Sequence, residues 1–430
     1  MEQEKLRRVK LESKLSVVSS TPTEPGKIHK FSLLDQAMGL HTIHLVFYYR
    51  SNPFNNGPLS TDLDNLRVSL SELLDLYPTA TGRLTRGPDG GWQVKCNDAG
   101  VRMLQASVST TLDEWLGSAD ACEEQDLTMW EDMPRDPTFW SPFRIQINNF
   151  KCGALAIGLS CSHIHADLTS AALLIKSWAQ LHRAQPLTHS PTIHLPQLPT
   201  TITSQTATAK NITADTPPPK PATTTFKFPA SAIEKHLSQV RNRCPNATPF
   251  DILVALFWSR IAHSHGALSI CIDSRNNRSP IPYAYFGNAF RSSVLSVGPD
   301  VLAGGDLGQI SECVHQHVEG LKGEDFPGSL LGEGPELRIY GPRLTCIDIN
   351  SAKPLVMYGA EFEEGQRPVH VSCRVGNVEA EGMIMVMPSA EGGLGRTVTV
   401  TLPHEQIDGL CEDQIIKDLE PTMIISGKRS

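Results

Sequence analysis

Apolar residues occupy both faces of the stretch from Gly153 to Ser160, with polar residues at either end. That pattern predicts a strand buried in a sheet covered on both sides. From Leu168 the period lengthens: Leu168, Ala171, Ala172, Ile175, Trp178 and Ala179 recur at helical spacing, with Lys176 and Gln180 on another face. Upstream, Ile43, Leu45, Phe47 and Tyr49 alternate with His44, Val46 and Tyr48, which predicts a strand after the segment FSLLDQAMGL. Leu63, Leu66, Leu70, Leu73 and Leu74 form the stripe of a helix capped by Ser60 or Thr61 and stopped by Pro78. The turn Pro88-Asp89-Gly90-Gly91 between Arg83-Leu84 and Trp92–Cys96 signals a hairpin. Val101–Val108 and Phe143–Phe150 are further strands, the latter pairing with the strand that follows. Asp113–Pro137 is acidic and irregular and is expected to form a surface excursion.

Residues 185–225 differ in kind, being dominated by Pro, Thr, Ser and Ala with no apolar period. Such a composition cannot bury a core and predicts a linker. It separates a domain over residues 1–184 from one over residues 226–430. The second half restarts at Phe226, with a helix whose capping box pairs Ser231 with Glu234. The next helix has Thr248 as cap and Pro249 at its first position. Leu268–Ile272, Val369–Arg374, Gly382–Met387 and Thr397–Leu402 read as strands. Strand–helix alternation in both halves predicts a two-domain α/β protein.

Composition narrows the function classes. Hydrophobic residues make up 40% of the 430 and charged residues 20%, as in ordinary globular chains. A net charge of −8 leaves no basic footprint for nucleic acid. None of the ten cysteines forms C-x-x-C, and no apolar stretch approaches a membrane span. Reduced core thiols in a cytoplasmic protein, or one held on a cytosolic surface by a partner, are expected.

Chemistry concentrates at the junction His163-Ile164-His165-Ala166-Asp167, where the buried strand gives way to the helix. Asp167 there suits an N-cap, accepting backbone N–H groups of the first turn. Cys161, His163 and His165 would share one face if the strand continued, as metal ligands do, but no second cluster offers a fourth. The third alternative makes a histidine the general base. Neutral imidazole takes a proton from a hydroxyl or thiol near physiological pH, and Asp167, four residues after His163, would fix the turn that aims it.

In this order the segments resemble the BAHD family of plant acyl-CoA-dependent acyltransferases over nearly the whole chain. FSLLDQAMGL is similar to the family's L-S-x-x-D segment, and YPTATGR to its Y-P-x-A-G-R with Thr81 added or altered. HIHAD matches H-x-x-x-D, while IDSRNNRSP and YFGNAF resemble D-x-R and Y-F-G-N. The resemblance implies two similar domains, each a mixed sheet with flanking helices as in chloramphenicol acetyltransferase, and an active-site tunnel at their interface. It implies His163 as general base, facing the tunnel, and Asp167 as structural support turned away to pair with Arg275. It also implies acyl-CoA as co-substrate, with no bound cofactor and no metal.

Two departures stand out. Leu168 replaces the glycine that usually follows the motif's aspartate, and D-F-G-W-G becomes Glu361-Phe362-Glu363-Glu364-Gly365. An intact H-x-x-x-D with this eroded segment resembles the eceriferum/glossy-type branch, associated with cuticular wax. That branch implies help to the fatty-acid elongase in extending very-long-chain acyl-CoA, beside its condensing enzyme at the cytosolic face of the endoplasmic reticulum. The alternative is a working transferase passing an acyl group to an alcohol or amine.

Overall fold

The computed structural model describes residues 7–39, 41–54, 62–194, 221–261, 266–275, 281–323, 340, 343–349, 355–378 and 382–427. Two mixed sheets with helices between and around them form the α/β architecture. The first sheet runs β1 (Val9–Val17), β6 (Val101–Val108), β7 (Phe143–Phe150), β8 (Leu155–Ser162), β3 (Thr42–Tyr49), β13 (His370–Gly376). The second runs β11 (Phe290–Ser296), β10 (Ala267–Asp273), β12 (Thr345–Asp348), β14 (Met383–Pro388), β15 (Arg396–Pro403), β9 (Pro221–Phe228), β16 (Thr422–Ile424). A small third sheet joins β2 (Ile28–Lys30), β5 (Trp92–Lys95) and β4 (Arg83–Arg86), with the expected hairpin between the last two.

The helix Leu168–His182 is the hub. Eleven of its residues, from Leu168 to Ala179, are buried. It belongs to a core cluster that joins Ile43, Leu45 and Phe47 of the first sheet to Cys271, Ile347, Met383 and Met385 of the second. A helix apolar on nearly every side requires such covering. A second cluster lies on the other face of the second sheet, under the helices Ala230–Val240, Pro249–Ile261 and Leu307–Gly323. Among the described residues no helix is long and apolar enough to cross a membrane.

Several local expectations are corrected. The acidic region 113–137 holds two short helices, Leu112–Ser118 and Ala121–Gln125. Each has a reciprocal capping box, Thr111 with Glu114 and Asp120 with Glu123, so acidic residues there neutralise orphan N–H groups. Ser231 caps nothing: the helix starts one residue earlier behind Pro229, without a side-chain cap. Strand β9 begins at Pro221, inside the segment read as linker, because its threonines pair with those of β15, as at Thr225–Thr399. The N-terminal strand β1, polar along most of its length, escapes the apolar pattern altogether. Strands β13 and β14, close in sequence, lie in different sheets.

Candidate active site

Strand β8 ends at Ser162, and the chain turns through His163–Ala166 into the helix that Asp167 caps; its Oδ1 accepts from Ser170 N–H at 2.9 Å. Both oxygens of Asp167 also meet the guanidinium of Arg275, Nη1 to Oδ2 at 2.9 Å and Nη2 to Oδ1 at 3.1 Å. Ala289 N–H adds a further donor to Oδ2 at 2.8 Å. Arg275 is completely enclosed, with its remaining N–H groups on Asp273 Oδ1, Ser170 Oγ, Gly287 O and Tyr285 O. Burial alone would lower this guanidinium, but the carboxylates of Asp167 and Asp273 outweigh it and hold it above the usual arginine range. Paired, planar contacts of this kind lock a turn in place.

Gly287 supplies the close approach this brace needs. A Cβ there would stand 2.5 Å from the Tyr285 hydroxyl, while its carbonyl accepts from Arg275 and from Ser170 Oγ at 2.8 Å. Asn288 follows and holds two elements together through one amide: Nδ2 donates to Asp35 Oδ1 and to the carbonyl of His163, both at 2.8 Å. Burial pushes the Asp35 carboxyl up, against the lowering effect of its donors Ser32 and Asn288.

His163 is thereby fixed at its backbone from both sides, its own N–H donating to His41 O at 2.8 Å. Its Nε2 lies 2.8 Å from the hydroxyl of Tyr340. Burial pushes the imidazole down to about 4, so it is neutral at physiological pH. The ring lines a cleft between the junction, the hub helix and the second sheet, whose wall includes Leu168, Phe290, Ile347 and Ile349. Asp167 borders the same cleft rather than turning wholly away, although its oxygens are spent on the brace. His165 points elsewhere. It packs between Phe31 and Phe143, its Nδ1 is 2.6 Å from Ser162 Oγ, and burial pushes it down to about 3. Among the described residues no group of three His, Cys, Asp or Glu is placed to hold a metal.

The model of the Transferase family matches residues 7–416. The chain belongs to this family, the BAHD acyltransferases. Protein ECERIFERUM 26 of Arabidopsis thaliana is 26% identical, covering 92% of this chain and 93% of that protein. Hydroxycinnamoyltransferase 1 of Oryza sativa subsp. japonica is 27% identical over 84% of this chain and 89% of its own length. In fold, the chain is similar to F. sporotrichioides TRI101 complexed with coenzyme A and T-2, at a TM-score of 0.66 and 14% identity, covering 93% and 100%.

Within this BAHD chain the altered segment Glu361–Gly365 lies at the opposite end of the hub helix from His163. Phe362 is buried against Trp178, Phe54 and Tyr49. Trp178 is eleven residues past Asp167, roughly 16 Å along the helix axis. Glu361 receives Arg183 at 3.0 Å and also Arg367, while Glu363 and Glu364 are exposed on a turn that Gly365 closes at φ +76°. The charge therefore faces solvent, and the retained Phe keeps the packing. Sequence reasoning missed Tyr340, Asn288 and Asp35 as members of the site. FSLLDQAMGL and YFGNAF pointed to the last two; Tyr340 sits in no motif.

Proposed function

We propose that the protein assists elongation of very-long-chain acyl-CoA for cuticular wax formation. It works beside the elongase condensing enzyme at the cytosolic face of the endoplasmic reticulum, and its inherited site delivers no acyl group to an external alcohol or amine. The observation that carries this reading is the Tyr340 hydroxyl at 2.8 Å from His163 Nε2. A general base must reach the proton it removes at hydrogen-bond distance, and here that position is filled from within the chain. The likeness to ECERIFERUM 26 supports the same conclusion.

A second reading, an acyl-CoA-dependent acyltransferase with His163 as general base, is favoured by the retained Asp167–Arg275 brace and the neutral imidazole. The fold shared with TRI101, whose structure holds coenzyme A, is consistent with acyl-CoA as the ligand in either case. The deciding experiment compares cells carrying the condensing enzyme with wild type or His163→Ala at equal protein level. We expect both to lengthen the fatty-acid profile alike. Loss of a true general base lowers rate by roughly 10²–10⁴-fold. A mutant profile that collapses to condensing enzyme alone, with the protein still folded and bound, would replace this reading by the transferase.

A further inference from the structure

Tyr340 does more than fill the acceptor's place: it has the chemistry of an acceptor. Its phenol oxygen lies at hydrogen-bond distance from Nε2 of a buried, neutral histidine. The ring is held edge-on by His41, with centroids 5.1 Å apart and planes at 88°, so the hydroxyl is aimed rather than free to swing. His41 is in turn anchored, Nδ1 standing 2.7 Å from Asn377 O. Both members of the pair line the cleft formed by the junction, the hub helix and the second sheet, where Leu168, Ile272, Phe290, Ile347 and Ile349 present apolar surface and Asp167, Asp273 and Asp348 border it. A nucleophile paired with its base beside an apolar wall is the arrangement of a covalent acyl carrier.

We infer that Tyr340 is a site of self-acylation by long-chain aliphatic acyl-CoA. This rests on the part of the proposed function that brings acyl-CoA to the cleft. The phenol oxygen attacks the thioester carbonyl, so that a C–O ester bond forms and the C–S bond breaks. The phenolic proton passes to His163 Nε2 and from there to the departing sulfur, which leaves as the free thiol of coenzyme A. No oxidant or further reactant is needed. The wall made by Leu168, Phe290, Ile347 and Ile349 favours an aliphatic chain over a polar acyl group, since burying polar atoms against it without partners is costly. Cys271 is the rival nucleophile in the cleft. Burial pushes both the Cys271 thiol and the Tyr340 phenol up, so each needs a base to take its proton; Tyr340 has His163 Nε2 at 2.8 Å, whereas the Cys271 thiol donates to Ser292 Oγ at 3.3 Å.

The test uses the purified full-length chain with palmitoyl-CoA as probe, read by intact mass, peptide mapping and released thiol. One palmitoyl adduct per chain is expected, on the peptide that contains Tyr340, cleaved by hydroxylamine and matched by one thiol released. Tyr340→Phe removes a single oxygen and should abolish the adduct while the chain stays folded, with a slightly lowered melting temperature because His163 Nε2 loses its partner. His163→Ala should slow its formation roughly 10²–10⁴-fold. Palmitoyl-CoA binding without an adduct overturns the inference, as does an adduct that persists in Tyr340→Phe or maps to Cys271. The elongation assay run with the same variants separates the two claims. A lengthened profile without adduct leaves the elongation role standing and sinks the carrier; an adduct without lengthening does the reverse.

Discussion

At the scale of single residues, the junction is held by groups that have no freedom left. Arg275 is fully enclosed and Asp167 nearly so, with the guanidinium contacting both carboxylate oxygens. Removing one member of a buried pair strands the other, at a cost of about 3–5 kcal/mol. Arg275→Ala should therefore lower the urea midpoint far more than His163→Ala does. Arg275→Lys should recover only part of the loss, because an ammonium cannot make two parallel contacts. A midpoint unchanged in Arg275→Ala would show that the brace contributes little to folding.

The buried histidines set a pH dependence at the same scale. Burial pushes His163 down to about 4, and His165 and His370 to about 3, whereas unfolded rings titrate near roughly 6.5. Between those values the unfolded chain binds more protons, so this stabilisation is complete above about pH 6.5 and is lost as pH falls through the window. The carboxyls of Asp35 and Glu124, pushed up by burial, act with the opposite sign. The informative quantity is thus a difference. His370→Gln keeps a polar group opposite Ser372, which lies 3.0 Å from His370 Nε2, and removes one titration. Its stability should fall less steeply than wild type between about pH 6.5 and pH 4 in urea melts. Equal slopes would place the acid sensitivity elsewhere.

At the scale of elements, legibility followed the strength of the local signal. Strands β6 and β7 fall at Val101–Val108 and Phe143–Phe150, where the apolar pattern places them, and the hub helix starts at Leu168 behind its Asp167 cap. These segments carry a period and a terminus together. Strand β1 carries neither: six of its nine residues are exposed, and backbone pairing with β6 makes it a strand. The helices after Thr111 and Asp120 are too short to show a period, so only their caps could have revealed them. Ser231 and Glu234 display a capping pattern that Pro229, one turn boundary earlier, makes irrelevant. The site divides in the same way. His163, Asp167 and Arg275 are legible because each lies in a compact motif. Tyr340 is not, since only the packing of the second half against the first brings it to His163 from 177 residues away.

At the scale of the whole molecule, the linker-based division into 1–184 and 226–430 meets a chain whose second half gives a strand to the first sheet. Strand β13, from the second half, pairs along β3 from His370–Tyr48 to Gly376–Thr42 and completes the first sheet. Phe362, Val356 and Met357 of the second half belong to the same core cluster as the hub helix. All eight residues of β3 are buried in the full chain. Without β13, this strand would present an open, apolar edge, which is a template for aggregation. Residues 1–184 expressed alone should therefore be insoluble, and co-expression with residues 185–430 should return a soluble complex. The full chain should unfold in one transition, because the cluster shared by the two sheets couples the first half to the second half, whose own cluster lies on the opposite face of the same sheet. A soluble 1–184 fragment with its own cooperative melt would refute this, and would mean that the linker, rather than the contributed strand β13, sets the folding units.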